Sequence, residues 1–218
     1  QRTANFILPA RNGPQDREIE AKHKSEYRAR RAAAYDTPFG IAGYPPPSKS
    51  ALETTAEERK AKFDQKWAEG GSISFLYSYT DLLTSKEAND LAIEYVHERI
   101  REIVQDPETA ETLCPNDHPI GTKRLVLDTD YYPVYNEPHV SLVNVRKAPI
   151  ETLTEKGLRL EDGQEFEVDA LGFATGGDAN ITAHWRLPQA LRWRARLLVP
   201  HGRRRRARAR PAQCVRGL

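Results

Sequence analysis

The 218-residue sequence contains no methionine and only two cysteines. It opens on Gln1, and a chain without Met predicts a segment of a longer translation product. Cys114 and Cys214 lie far apart, outside any CxxC pair and without histidines at metal-ligand spacing. This excludes a zinc finger or a disulfide framework and suits two inert thiols in a reducing, cytoplasmic setting. No apolar run approaches the ~18 residues that span a bilayer, and the first residues lack the basic-then-apolar pattern of a secretory signal. None of the 13 glycines falls in a GxGxxG, so the phosphate-cradling turn of a dinucleotide fold is absent from this stretch. No internal repeat is present. With 39% hydrophobic and 29% charged residues, a modest core is affordable and disorder throughout is not expected.

Lys, Asp and Glu are missing from one end. Residues 184–218 hold 11 arginines and none of those three, which leaves 22 basic against 31 acidic groups over residues 1–183. The net charge of +2 therefore combines an acidic stretch of −9 with a basic end of +11, and as an average it says nothing about partners.

Periodicity divides the remainder into a strand remnant, a helical block and a strand block. Residues 1–9, QRTANFILP, are strand-compatible up to Pro9, and Asn12, Gly13 and Pro14 mark a loop. Gln15 to Ala34 is rich in charge and Ala, which predicts a helix, whereas Asp36 to Lys49, around PPP at 45–47, excludes regular helix or central strand. Thr55-Ala-Glu-Glu58 has capping-box form ahead of a helix to about Trp67, stopped by Gly70-Gly71. From Ser85 to Val104, Ala88, Leu91, Ala92, Tyr95, Val96, Ile100, Ile103 and Val104 recur at three- and four-residue intervals, so one stripe faces a core. Asp106-Pro107 supplies an N-cap and a first-turn proline for a short helix to about Leu113. After Cys114-Pro115 the period shortens. Val140–Val145, Pro149–Thr154, Leu158–Leu160, Phe166–Val168 and Ala170–Ala174 read as strands, with a hairpin turn at Glu161-Asp-Gly-Gln164.

Three places carry residue types suited to chemistry. Gly121-Thr-Lys-Arg124 sets two cations side by side, and these suit different oxyanions: Lys123 is a compact point charge, Arg124 a planar fork that stays protonated. By itself the tetrapeptide is a weak signal, and a solvated basic loop is the plainer reading. Residues 169–179, DALGFATGGDA, form an apolar strand ending in Ala-Thr-Gly, where Gly176 lets backbone approach a ligand; an ordinary strand and glycine turn is the plainer alternative. Arg2-Thr3 places a guanidinium beside a hydroxyl, a pair able to hold a phosphate. His118 and His139 have no carboxylate or second His at useful spacing and are read as structural.

Taken together, five segments resemble the Baeyer–Villiger monooxygenases, the enzymes related to phenylacetone and cyclohexanone monooxygenase. They are QRTANFILPARNGP at 1–14, WAEGG at 67–71, HPIGTKRLVLDTDYYPVYNEPHVSLVNV at 118–145, APIETLTEKGLRLEDG at 148–163 and ALGFATGGDA at 170–179, in the family's order. The resemblance implies an α/β fold, part of a flavoprotein with two dinucleotide-binding domains. Residues 1–12 would end the first NADP-domain portion, 13–117 form a helical insertion, 118–168 return to the NADP domain, and 169–183 re-enter the FAD domain. It further implies FAD and NADP as cofactors, a small-molecule ketone and O₂ as reactants, and no nucleic-acid or membrane partner. Arg2, Thr3 and Lys123 match residues that hold the adenosine 2′-phosphate, Arg124 matches the active-site arginine, and Ala174, Thr175, Gly176 and Asp178 match cofactor-binding positions. A related nitrogen- or sulfur-oxygenating flavin monooxygenase is the nearest alternative.

Departures accompany the match. The glycine-rich turns and the family signature FxGxxxHxxxW are absent, and Gly177 stands where the family has Phe. The fragment alone is therefore expected to be inactive and to retain neither FAD nor NADPH. The resemblance stops after Ile181, where Arg usage without Lys begins. That switch predicts residues 184–218 to be an out-of-frame or disordered tail. A nucleic-acid-binding module would instead show salt-dependent DNA retention lost with those residues.

Overall fold

The computed structural model describes residues 3–14, 16–37 and 40–172 and the backbone of 214–217. Contacts divide the chain into two units, one formed by Thr3–Val140 and the other including residues from Ser141 onward.

In the first unit, strand β1 (Ile7–Pro9) pairs in parallel with β2 (Val126–Asp128), Ile7 opposite Val126 and Pro9 opposite Asp128. A parallel pair cannot be closed by a tight turn and needs a crossover. Here the crossover is the whole helical block. The expected helix over 15–34 is two helices, α1 (Arg17–Ser25) capped by Asp16 and α2 (Tyr27–Ala34). Neither buries a residue, so no apolar stripe holds a single axis through the break at Glu26. The Ser25 hydroxyl also donates to the Lys22 carbonyl at 2.8 Å, competing with the helix ladder.

Helix α3 (Ala56–Glu69) carries the expected reciprocal Thr55–Glu58 capping box and ends at Gly70, φ 75°. A Cβ there would stand 2.7 Å from the Pro9 carbonyl oxygen, so the close approach of α3 to β1 requires glycine. The one-turn helix α4 (Ser72–Leu76) is too short for periodicity to announce. Helix α5 (Lys86–Ile103), capped by Ser85, buries Ala88, Ala92, Tyr95, Val96 and Ile100 of the expected stripe, together with Asn89, and leaves Leu91 and Ile103 half-buried. Asp106 caps α6 (Pro107–Leu113). The aromatic centre is Phe63 on α3, with ring centroids 5.3 Å from Phe75, 5.6 Å from Tyr79 and 5.1 Å from Tyr95. Asp81 ties the Pro-rich connector to the start of α5, accepting from the Ser50 hydroxyl at 2.5 Å and the Ala51 amide at 2.8 Å. Burial pushes its carboxyl pKa up, but these bonds outweigh it and hold the carboxyl below its ordinary value.

Strand β3 (Val140–Val143) pairs with backbone strand β7 (Cys214–Gly217) in a two-stranded sheet. In the second unit, β4 (Ile150–Leu153), β5 (Gly157–Leu160) and β6 (Glu165–Glu167) form an antiparallel sheet in that order. The expected turn joins β5 to β6, with Gly163 at φ 86° donating its amide to the Leu160 carbonyl. Gly157 faces Phe166 so closely that a Cβ would fall 1.8 Å from its carbonyl oxygen. Of the expected strand 170–174, residues 170–172 are irregular and 173–174 lie outside the described residues. Residues 173–183, and all of 184–218 except the β7 backbone, are likewise not described.

Candidate coenzyme site at the Gly121–Arg124 loop

The loop from Pro119 to Arg124 joins α6 to β2 and is anchored by Asn89 of α5. The Asn89 amide nitrogen donates to Leu82 O at 2.7 Å and Ile120 O at 3.0 Å, and its oxygen accepts from Ile120 N at 3.0 Å. Both Asn89 and Ile120 are buried, so each of these bonds lies out of water. Gly121 then turns the chain at φ 91°, where an added Cβ would be 2.7 Å from a methyl of Leu83. The Thr122 hydroxyl closes the turn on Pro119 O at 2.7 Å.

Beyond this turn the two cations part. Lys123 Nζ lies 3.2 Å from Thr3 Oγ1, a contact across 120 residues, and 3.6 Å from Asp117 Oδ1. The Arg124 side chain is exposed, and its carbonyl accepts from Asn5 Nδ2 at 3.0 Å while Asn5 Oδ1 accepts from the Phe6 amide at 2.9 Å. Pairing of β1 with β2 is what brings Thr3 and Asn5, just ahead of one strand, to Lys123 and Arg124, just ahead of the other.

The structure thus brings together Thr3 and Lys123 and sets Arg124 next to them. Arg2, Ala174, Thr175, Gly176 and Asp178 lie outside the described residues. His118 needs correction. No carboxylate stands at useful spacing in the sequence, yet its Nδ1 is 2.5 Å from Oδ1 of the adjacent Asp117, and its ring packs edge-on against Phe6 at 5.2 Å. Asp117 was overlooked because spacing rules look for partners a turn away, whereas here the partner is the adjacent residue. Asn5 and Asn89 were also missed as site residues: their partners include backbone atoms of residues distant in sequence.

A cavity of ≈ 600 Å³ beside the PPP segment and α3, lined among others by Tyr44, Pro46, Lys62 and Tyr77, contains none of the expected site residues. Among the described residues no cluster of three His, Cys, Asp or Glu is placed to hold a metal ion, and no helix is long and apolar enough to cross a membrane. Cys114 is a free, buried thiol whose pKa is pushed up to about 11 by burial, so at neutral pH it is protonated and a poor nucleophile.

His97 stacks on Phe6 with ring centroids 6.2 Å apart, and its Nε2 lies 2.8 Å from Pro115 O. Burial holds its pKa below the ordinary value, despite the raising effect of that carbonyl. In the unfolded chain the imidazole titrates near about 6.5, so below that pH the unfolded state binds a proton that the native state does not. Stability should therefore fall as pH drops below about 6.5 and be insensitive to this group above it. Urea midpoints measured at intervals from about pH 5 to about pH 7.5 check this, and His97→Gln should flatten the slope relative to the parent chain.

No family model matches the chain. Over 180 residues, 82% of the chain and 32% of the relative, it is 37% identical to a Baeyer–Villiger monooxygenase of Pseudooceanicola batsensis. A solved structure of OTEMO in complex with FAD and NADP matches with a TM-score of 0.76 at 33% identity, over 82% of this chain and 33% of that one. The chain belongs to the Baeyer–Villiger monooxygenase family. Its fold is accordingly α/β, part of the two-dinucleotide-binding-domain architecture of family flavoproteins. The chain spans about a third of the length of the curated relatives it matches. One of these, at 37% identity over 183 residues, 81% of the chain and 32% of the relative, is the phenazine N-monooxygenase PhzNO1 of Lysobacter antibioticus.

Proposed function

We propose that this chain supplies the coenzyme-phosphate contact and the catalytic arginine of an NADPH- and FAD-dependent Baeyer–Villiger monooxygenase. Such an enzyme inserts an oxygen atom from O₂ beside the carbonyl of a small-molecule ketone, giving an ester or lactone. The observation that carries this reading is the meeting of Thr3 and Lys123 across 120 residues in a chain of this family. A hydroxyl and an ammonium 3.2 Å apart form a donor pair that fits a dianionic phosphate. A 2′-phosphate held there distinguishes NADPH from NADH. Arg2, Ala174, Thr175, Gly176 and Asp178 are proposed as further cofactor contacts on the strength of the sequence match alone.

When bound, NADPH and FAD would supply the reducing electrons that O₂ consumes. Arg124 contributes a charge that does not titrate in the working range, aimed from a backbone fixed by Asn5. A preorganised cation of this kind stabilises negative charge developing on oxygen during transfer to the ketone. The domain division 1–12, 13–117, 118–168 and 169–183 described above is proposed for the parent architecture. A cytoplasmic setting suits the free thiol of Cys114.

The test is a chimera in which Thr3–Val140 replaces the matching stretch of the Pseudooceanicola enzyme, assayed on a ketone which that host converts. Retained NADPH-dependent ester or lactone formation is expected. A folded, flavin-containing chimera that neither oxidises NADPH nor forms product would refute the proposal. In the same chimera Lys123→Ala should raise KM for NADPH about tenfold and leave that for NADH nearly unchanged, as expected for loss of one charge-assisted contact. Equal identity to PhzNO1 favours a second reading, transfer to nitrogen. Placing the segment in that enzyme as well decides between them: activity restored in the nitrogen-oxygenating host alone would favour it.

A further inference from the structure

We propose that Asp117 is a specificity-determining residue of the coenzyme site, a built-in counter-charge that a 2′-phosphate must displace from Lys123. The inference rests on the reading that Lys123 receives that phosphate. Asp117 Oδ1 lies 3.6 Å from Lys123 Nζ and 2.5 Å from His118 Nδ1. The two partners differ in freedom. The His118 side chain is only 8% exposed, wedged edge-on against the fully buried Phe6, with its Nε2 3.4 Å from the Asn5 amide oxygen. The Lys123 side chain is 45% exposed on a long flexible stem. The carboxylate is thus tethered on the ring side while the ammonium can move.

A phosphate that accepts from both Thr3 Oγ1 and Lys123 Nζ therefore meets a fixed negative charge one contact away. It must take over the ammonium from Asp117 and also sit near the carboxylate it displaces. Both effects oppose a dianion and neither touches a coenzyme without the 2′-phosphate. Asp117 accordingly narrows the preference for a 2′-phosphorylated nucleotide that Lys123 and Thr3 create. Because the pair is partly exposed, water and salt screen it, and the expected effect is several-fold instead of several hundredfold.

The experiment is an NMR titration of the flavin-containing chimera described above with adenosine 2′,5′-bisphosphate and, separately, with adenosine 5′-monophosphate. Asp117→Asn keeps a hydrogen-bonding group for His118 and removes the charge; Asp117→Ser is the second variant should Asn perturb the amide spectrum. Removing the charge should tighten the bisphosphate about fivefold and leave the monophosphate within about twofold, the range set by an exposed ion pair. Unchanged or weaker bisphosphate binding in both variants overturns the proposal, as does failure of parent and variants alike to bind it. An equal gain for both nucleotides overturns it too, since that is general anion attraction. Lys123→Ala separates the two levels of the argument. If it leaves the preference for the bisphosphate intact, the assignment of Lys123 itself fails. If it erases the preference while Asp117→Asn tightens nothing, only the role of Asp117 fails.

Discussion

Asn89→Ala is expected to destabilise the first unit by about 3 kcal/mol. The side chain is 5% exposed and makes three hydrogen bonds, two of them to both backbone groups of Ile120. Its removal leaves two carbonyls and one amide unpaired in the interior, and such buried groups carry their full desolvation cost. Urea denaturation measures the loss, and hydrogen exchange at Ile120 shows whether the loop is freed. A loss below about 1 kcal/mol would mean that water reaches these groups and that Asn89 is not the anchor. Asn89→Asp should be no milder. It keeps the acceptor for Ile120 N but places a second acceptor, and a charge, against two carbonyl oxygens.

Arg124→Ala, in the chimera described above, is expected to lower oxygenated product at least ~100-fold, the scale on which a preorganised charge acts on a developing oxyanion. NADPH should still bind, because the phosphate pair of Thr3 and Lys123 is untouched. Arg124→Lys should recover only part of the loss. Its ammonium retains the charge but not the planar fork, and its reach from the same backbone differs. Product formation within tenfold of the parent would remove Arg124 from the chemistry. The backbone contact of Asn5 with the Arg124 carbonyl survives either substitution, so a folded loop can be verified independently of activity.

Much of the helical block was legible because its signals are local. Ser85, Thr55 and Asp106 each cap a helix through contacts within three residues, and the α5 stripe has one period over five turns. The break at Glu26 was not legible: it follows from the lack of any buried face, which only packing reveals. Strand β2 was passed over because its three residues, Val126 to Asp128, are exposed or half-buried and show no alternation; only the partner β1 defines them. The same reason applies at the site. Lys123, Arg124 and Thr3 stood out through their match to a family pattern, whereas Asn5, Asn89 and Asp117 are common residue types in unremarkable positions.

The amino-acid sequence by itself determined the approximate bounds of α3, α5 and α6, the hairpin turn before β6, the family and the identity of the charged pair at 123 and 124. These depend on contacts within a few residues or on an ordered series of segments. Tertiary structure alone decided that Thr3 meets Lys123, that Asn89 holds Ile120, and that Asp117 stands between His118 and Lys123. The reason is physical. A parallel strand pair closed by a long helical crossover joins the two ends of that crossover, and no short-range pattern along the chain records which side chains arrive there together.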